Sequence, residues 1–352
     1  MSRFWSEGVD ALRPYQPGEQ PKVEGLVKLN TNENPYGPSP RALAAIRDAA
    51  NDALRLYPDP DASALRTAIA ADCGVPDDHV FVGNGSDEVL GHAFAGLMKR
   101  ASPILVPDVT YSFYRVWCEL YRIERVPVPL DDAFRLRVDD YARPCGGVVI
   151  ANPNAPTGIA LPIGEIERLL RLQPAVPVLV DEAYVDFGAH TAVPLVSRHP
   201  NLLVVRTLSK SHALAGLRVG YAIGQPALLE ALERVKGSFN SYPLDRLALA
   251  GAAAAIADRA HFERSRDRVV ATRAWLAGAL AAMGFEVQPS SANFLFVRHP
   301  LHDAARLQAV LRESRVLVRR FTDERIAQFL RVSVGTDDDC ATLVRVLREH
   351  LG

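Results

Sequence analysis

Lys210 is the residue in this chain best placed to do chemistry. It stands in the stretch Thr207-Leu208-Ser209-Lys210-Ser211-His212, followed by Gly216-Leu217-Arg218-Val219-Gly220. Only Lys22, Lys28, Lys99, Lys210 and Lys236 are lysines, and arginine supplies the rest of the 40 basic residues. An amine condenses with an aldehyde, which a guanidinium cannot do. Ser209 offers a hydroxyl and Arg218 a planar fork of donors, and both suit a phosphate. An aldehyde and a phosphate on one small molecule describe pyridoxal phosphate. The plain alternative is a loop lysine with Arg218 in a structural ion pair. The ordered run of strand, hydroxyl, amine, arginine and glycine argues against it.

Three other segments could join it. Gly83-Asn84-Gly85-Ser86-Asp87 follows an apolar run and opens a helical one. Glycines there admit a close backbone, and helix N-terminal amides attract an anion. Alone, the segment reads equally as a strand-to-helix turn capped by Ser86 or Asp87. Asn152-Pro153-Asn154-Ala155-Pro156 ends another apolar run, and its prolines aim Asn154 rigidly. Val180-Asp181-Glu182-Ala183-Tyr184 closes a third. A carboxylate against a pyridine nitrogen keeps that nitrogen protonated, which makes the ring an electron sink. Tyr184 could bond the ring's phenolic oxygen.

The elements that must hold these residues are legible in the hydrophobic pattern. Short apolar runs predict strands at 80–82, 104–106, 148–150, 178–180, 202–206 and 221–223. Helical spacing is expected over 41–54, 63–73, 87–99, 164–172 and 226–236. The strands are apolar on both faces, and alternation with helices predicts a mainly parallel, doubly wound sheet. Ligands of such sheets bind beyond the strand C-termini. A long helical stretch is expected from about 246 to 283. After it come strands at 293–297, 316–318 and 329–334 and helices at 304–313 and 338–349, a smaller α+β unit. Six prolines between 14 and 40 make the first 40 residues an arm. The expected organisation is arm 1–40, large domain 41–245 and small domain 246–352.

Composition narrows the function. A formal net charge of −1 gives no field that would draw the chain to nucleic acid or an acidic membrane. Cys73, Cys118, Cys145 and Cys340 are widely spaced, with no C-x-x-C, so neither a zinc site nor a redox pair is expected. A reducing cytoplasm fits this usage. The N-terminus lacks the apolar core of a signal peptide. The longest apolar run, 247–257, is too short for a membrane span.

Taken together, Asn154, Asp181, Tyr184, Ser209-Lys210 and Arg218 occur in the order and setting of the fold type I pyridoxal-phosphate aminotransferases, and the chain resembles them from Asn30 to Gly335. Leu29-Asn30-Thr31-Asn32-Glu33-Asn34-Pro35, Tyr57-Pro58 and Arg206-Thr207-Leu208-Ser209-Lys210 are similar to the histidinol-phosphate aminotransferase family. The resemblance implies a large domain with a mainly parallel, seven-stranded sheet between helices, plus a smaller α+β domain. It implies a Schiff base on Lys210, Asp181 at the pyridine nitrogen, and Asn154 and Tyr184 at the ring oxygen. Gly85, Ser86, Asp87, Ser209 and Arg218 would surround the cofactor phosphate, and Tyr111 would stack on the ring or serve as a core aromatic. Tyr57 would reach the neighbouring site across a homodimer. Tyr15, Asn154, Arg319 and Arg331 would bind substrate, with Arg331 an arginine on an otherwise apolar strand. The implied reaction is transamination between histidinol phosphate and 2-oxoglutarate, with no nucleic-acid or membrane partner. An aromatic transaminase and a threonine-phosphate decarboxylase share the same motifs. A DNA-binding regulator is not expected, because the chain begins almost directly with the arm. His212 is expected at the surface or behind the site.

Overall fold

The computed structural model describes residues 3–351. Met1, Ser2 and Gly352, to which the arm and small-domain boundaries extend, lie outside the described residues. The arm contributes β1 (Val27–Leu29) and leads into α1 (Pro40–Ala49) and α2 (Ser63–Cys73). Next come β2 (Val80–Asn84), α3 (Gly85–Ala93), β3 (Ile104–Pro107), α4 (Phe113–Tyr121), β4 (Arg125–Val128) and β5 (Gly147–Ala151). The chain continues through α5 (Ile163–Leu172), β6 (Val178–Asp181), β7 (Leu202–Thr207), β8 (Val219–Gly224) and α6 (Pro226–Phe239). Two helices follow, α7 (Arg246–Ala257) and α8 (Arg259–Ala281). The last part holds β9 (Glu286–Val287), β10 (Phe294–Arg298), α9 (Ala304–Glu313), β11 (Val316–Arg320), β12 (Leu330–Ser333) and α10 (Asp337–Leu351).

Seven strands form one sheet in the order β2-β8-β7-β6-β5-β3-β4. β8 runs antiparallel to both neighbours, and the other pairings are parallel. Successive side chains of a strand point to opposite faces. Val148, Ile150, Val178, Val180, Leu202 and Val204 therefore pack in one core. Val149, Leu179, Leu203 and Val205 pack in the other. Helices on both sides explain why these strands carry no polar face.

A five-stranded sheet, β1-β11-β12-β10-β9, forms a separate layer. β1 pairs in parallel with β11, so the arm is stitched to a segment nearly the whole chain away. Asn32 extends the stitch, since its backbone N–H donates to the Ser333 hydroxyl at 2.9 Å.

Several expectations need correction. The helix expected over 246–283 is two helices broken at Asp258. Asp258 leaves helical geometry there (ψ 60°), and its carboxylate accepts the Ser39 hydroxyl at 2.5 Å. Ser39 in turn caps α1. The helix expected over 41–54 ends at Ala49 and resumes as a 3-10 turn at Asp52–Arg55. The stretch expected over 87–99 starts at Gly85 and becomes π-helical at Phe94–Met98. β1, β4, β9 and α4 were not expected.

Candidate active site

The C-terminal ends of β5, β6 and β7 and the start of α3 converge on a cavity of about 150 Å³. Parallel strands deliver their loops to one side, and so these distant segments meet. Asp181, the last residue of β6, lines the cavity and is only 5 % exposed. Its Oδ2 accepts the Tyr114 hydroxyl at 2.8 Å, and its Oδ1 accepts the Ala183 N–H at 3.1 Å. Burial pushes its carboxyl up to about 6, although both hydrogen bonds pull the other way. Desolvation therefore outweighs them, and a cation in the cavity would restore the charged form.

Lys210 follows β7 on a short loop and lines the same cavity. Its Nζ donates to the Thr31 carbonyl at 3.4 Å and lies 5.8 Å from the centre of the Tyr184 ring. No carboxylate neutralises it among the described residues. Tyr184 accepts a hydrogen bond from Asn32 Nδ2 at 3.0 Å and meets Phe294 edge to face. The arm thus supplies partners to both the amine and the phenol.

Ser86, Asp87, Ser209 and Arg218 line the cavity beside them. The turn after β2 puts Gly85 (φ 76°) at the helix start, where a Cβ would come within 2.5 Å of the Arg218 guanidinium. A Cβ at Gly220 would stand 2.2 Å from the Ser86 backbone nitrogen. Both positions require glycine for close approach. Asn84 precedes α3 without a side-chain cap, and its own N–H is taken by Glu88 Oε2 at 2.6 Å. Neither Ser86 nor Asp87 is the cap. Ser209 Oγ is buried and, among the described residues, without a partner. An unpaired buried hydroxyl is costly, so it marks a place where a ligand's acceptor belongs. Arg218 donates to Asp87 Oδ2 at 3.0 Å, and Tyr111 donates to Asp87 Oδ1 at 3.2 Å. With its carboxylate so engaged, Asp87 has only its backbone amide to offer an anion.

On the far wall, Arg319 and Arg331 are register partners across β11 and β12. Arg331 Nη2 donates to the Asn30 carbonyl at 3.0 Å, while its Nε is buried without an acceptor. Arg319 reaches only the Gln16 carbonyl, at 3.4 Å. Among the described residues neither has a carboxylate partner. Burial, then the neighbouring Arg319, pull the Arg331 guanidinium below its ordinary range, against Tyr184 and Tyr15. A desolvated guanidinium at Arg331 beside a second arginine, neither with a counter-ion among the described residues, fits a bound anion. Tyr15 completes this wall, 5.0 Å from the Phe113 ring and 6.4 Å from Tyr111.

Two expected residues stand off the cavity. Asn154 Nδ2 donates to the Val109 carbonyl and to Thr157 Oγ1, and its Oδ1 accepts from Thr110. Its polar atoms are engaged beside the wall rather than on it. Tyr57 is 79 % exposed and stacks on Tyr242 at 4.7 Å, on the outer surface of the chain. His212 stacks on Phe262 outside the cavity. Sequence reasoning missed Tyr114, which sits three residues beyond Tyr111 on the unexpected α4. It also gave no role to Thr31 and Asn32.

Residues 24–347 match the family described as aminotransferase class I and II, and the chain belongs to that family. It is 64 % identical over 352 residues to a histidinol-phosphate aminotransferase of Gluconacetobacter diazotrophicus, covering all of this chain and 98 % of that one. It is 63 % identical to a histidinol-phosphate aminotransferase of Thiobacillus denitrificans, over 99 % of this chain and 98 % of the relative. Among solved structures it resembles the Sinorhizobium meliloti histidinol-phosphate aminotransferase in complex with pyridoxal-5'-phosphate. That match has 25 % identity and a TM-score of 0.82, covering 92 % of this chain and 91 % of the other.

Proposed function

We propose that this chain catalyses pyridoxal-phosphate-dependent transfer of an amino group between L-histidinol phosphate and 2-oxoglutarate, a step of histidine biosynthesis. One observation carries the reading. A lysine amine, a buried carboxylate and two arginines without counter-ions face one cavity, in a chain about 60 % identical to full-length relatives that bear that name. When bound, the cofactor supplies an aldehyde that condenses with amines and a ring that takes up electron density.

The residues divide the remaining work. Ser86, Ser209, Arg218 and the backbone of Gly85 and Asp87 hold the phosphate. Asp181 keeps a proton on the pyridine nitrogen, and Tyr114 orients that carboxylate. Tyr184 bonds the ring oxygen. Asn154 would have to give up one of its present bonds to join it. Tyr111 supplies a face for the ring. Lys210 Nζ takes the proton from the substrate carbon that bears the amine and gives it back later in the exchange. Arg319, Arg331 and Tyr15 bind the anionic end of each substrate. Forked donors accept a phosphate ester or a carboxylate, so one wall serves both partners.

The assembly belongs to the same proposal. We place the chain in a homodimer in the cytoplasm, with Tyr57 reaching the phosphate of the neighbouring site. The exposure of Tyr57 and the four free cysteines support this. Among the described residues no helix is long and apolar enough to cross a membrane. We divide the chain into arm 1–40, large domain 41–245 and small domain 246–352.

Half-reactions test the substrate. The cofactor-loaded protein is mixed separately with histidinol phosphate, phenylalanine and threonine phosphate, and the cofactor absorbance is followed. Fast conversion to the amine form with histidinol phosphate alone is expected. Conversion mainly with phenylalanine would make the chain an aromatic transaminase. Carbon dioxide released from threonine phosphate would make it a decarboxylase.

A further inference from the structure

The cavity around Lys210 opens onto a much larger cleft of about 1000 Å³, and the two share Tyr15, Asn30, Tyr111, Arg319 and Arg331. Among the described residues, the charged groups lining the cleft are seven arginines and three carboxylates. The chain as a whole carries a formal charge of −1, so the cleft departs in sign from the molecule that holds it. Two of the seven arginines are neutralised locally, Arg312 by Glu19 at 2.5 Å and Arg115 by Glu119 at 3.5 Å. Of the carboxylates, Asp108 is spent on Arg325 outside the lining. Arg13, Arg125, Arg319, Arg320 and Arg331 have no ion-pair partner among the described residues.

These five fall into two groups. Arg319 and Arg331 line the inner cavity and are assigned above to substrate contact. Arg13, Arg125 and Arg320 line only the outer cleft. They come from three separate elements, the arm, the edge strand β4 and the end of β11. Around one cleft, three cations without ion pairs outnumber the one lining carboxylate not engaged in an ion pair, Asp323, and they focus their field into it, because the low-dielectric protein behind screens poorly. Such a field raises the local concentration of anions and their rate of entry without touching them when bound.

We propose that Arg13, Arg125 and Arg320 form a cationic vestibule that draws substrates of net negative charge to the inner site and favours them over amino acids of zero net charge. This rests on the reading above that the site takes a phosphate ester and a dicarboxylate. Selection here acts before contact, so it appears in kcat/KM and KM but not in kcat. It also weakens as salt shortens the range of the field, with a Debye length falling from about 30 Å at 0.01 M to about 8 Å at 0.15 M.

The test is the ionic-strength dependence of single half-reactions of the full-length, cofactor-loaded enzyme. Histidinol phosphate and 2-oxoglutarate are compared with phenylalanine, a zwitterion of zero net charge. For both anions, kcat/KM is expected to fall between low and physiological salt, by roughly tenfold for 2-oxoglutarate (net charge −2) and less for histidinol phosphate (net charge about −1), against little change for phenylalanine. R13Q/R125Q is expected to flatten that slope and raise KM for the anions about threefold to tenfold at low salt, with kcat unchanged. R13K/R125K, which keeps the charge and changes the shape, should keep the slope. Equal salt slopes for all three substrates would overturn the vestibule. A slope that R13Q/R125Q leaves intact would do the same. An enzyme inert to histidinol phosphate but salt-dependent with 2-oxoglutarate would keep the vestibule and sink the substrate reading instead.

Discussion

Two cavities of this chain each contain a desolvated arginine, and they treat it in opposite ways. In the cavity of about 590 Å³ beside the start of α8, Arg206 is matched by the protein's own carboxylates. Its guanidinium pairs with Asp186, and Glu182 Oε2 lies 3.9 Å from its Nε. Asp186 also accepts the Ser211 hydroxyl at 2.5 Å. Glu182 accepts the Thr191 hydroxyl at 2.6 Å and the Ala192 N–H at 2.5 Å. In the smaller cavity, Arg331 has one carbonyl acceptor, that of Asn30, a buried Nε without an acceptor, a second arginine beside it and, among the described residues, no carboxylate. Size therefore does not locate the chemistry. A buried cation saturated from within holds structure together, and one left unsaturated awaits a ligand.

The largest expected effect belongs to the amine. Lys210→Ala should cut turnover by more than about a thousandfold while leaving the unfolding temperature near that of the parent. Turnover close to the parent's would remove Lys210 from the centre of the site.

The two arginines should then separate. Arg206→Met leaves Asp186 and Glu182 buried without their cation, and thermal or urea unfolding should register a loss of about 3–5 kcal/mol. Arg331→Met removes a desolvated charge that has no carboxylate partner among the described residues, so stability should hold or rise. Its kcat/KM for anionic substrates should fall by about 2–3 kcal/mol of transition-state binding, roughly 30- to 150-fold. If both variants lost stability equally, the contrast between the cavities would collapse.

A pH experiment sharpens the same contrast. The folded Asp181 carboxyl is raised from 3.8 to about 6 by burial. A raised folded value means that the folded state holds the proton longer than the unfolded chain does. Its contribution to stability is thus full at the acid end and is lost as pH climbs towards 6. In cofactor-free protein, Asp181→Asn should remove that decline, worth on the order of 1–3 kcal/mol across the window. The comparison is between urea midpoints near pH 4 and above pH 6. An identical pH slope in parent and variant would contradict the burial argument.

The smallest effect is at Ser209. Replacing its unpartnered hydroxyl with Ser209→Ala should weaken cofactor binding by about 1 kcal/mol, roughly fivefold, with no loss of stability. Equilibrium dialysis against pyridoxal phosphate measures it.

Much of this site was legible because strand ends announce themselves. Asp181 and Lys210 each follow a run of buried β-branched or leucine residues, and the alternation of those runs with helices is a strong pattern. The helix at Ser63–Cys73 and that at Ala304–Glu313 were legible to the residue for the same reason. The rest depended on contacts that no local pattern carries. The break at Asp258 lies between two helices whose apolar spacing runs on, and its cause is Ser39, far away in sequence. β4 contains Pro127, which reads as a strand breaker and is tolerated at a sheet edge. No local pattern singles out Tyr114, and only the fold aims its hydroxyl at Asp181. The pairing of Arg206 on β7 with Asp186 in the turn after β6 is likewise made by tertiary folding alone.

One particular amine, Lys210 Nζ, is expected to hold the cofactor. Borohydride reduction of the cofactor-loaded protein fixes the cofactor to that amine, and peptide mass spectrometry locates it. Label on the peptide carrying Lys210, with none on Lys22, Lys28, Lys99 or Lys236, is the expected result. Label on any other lysine, or a protein that takes up no cofactor, would contradict the account.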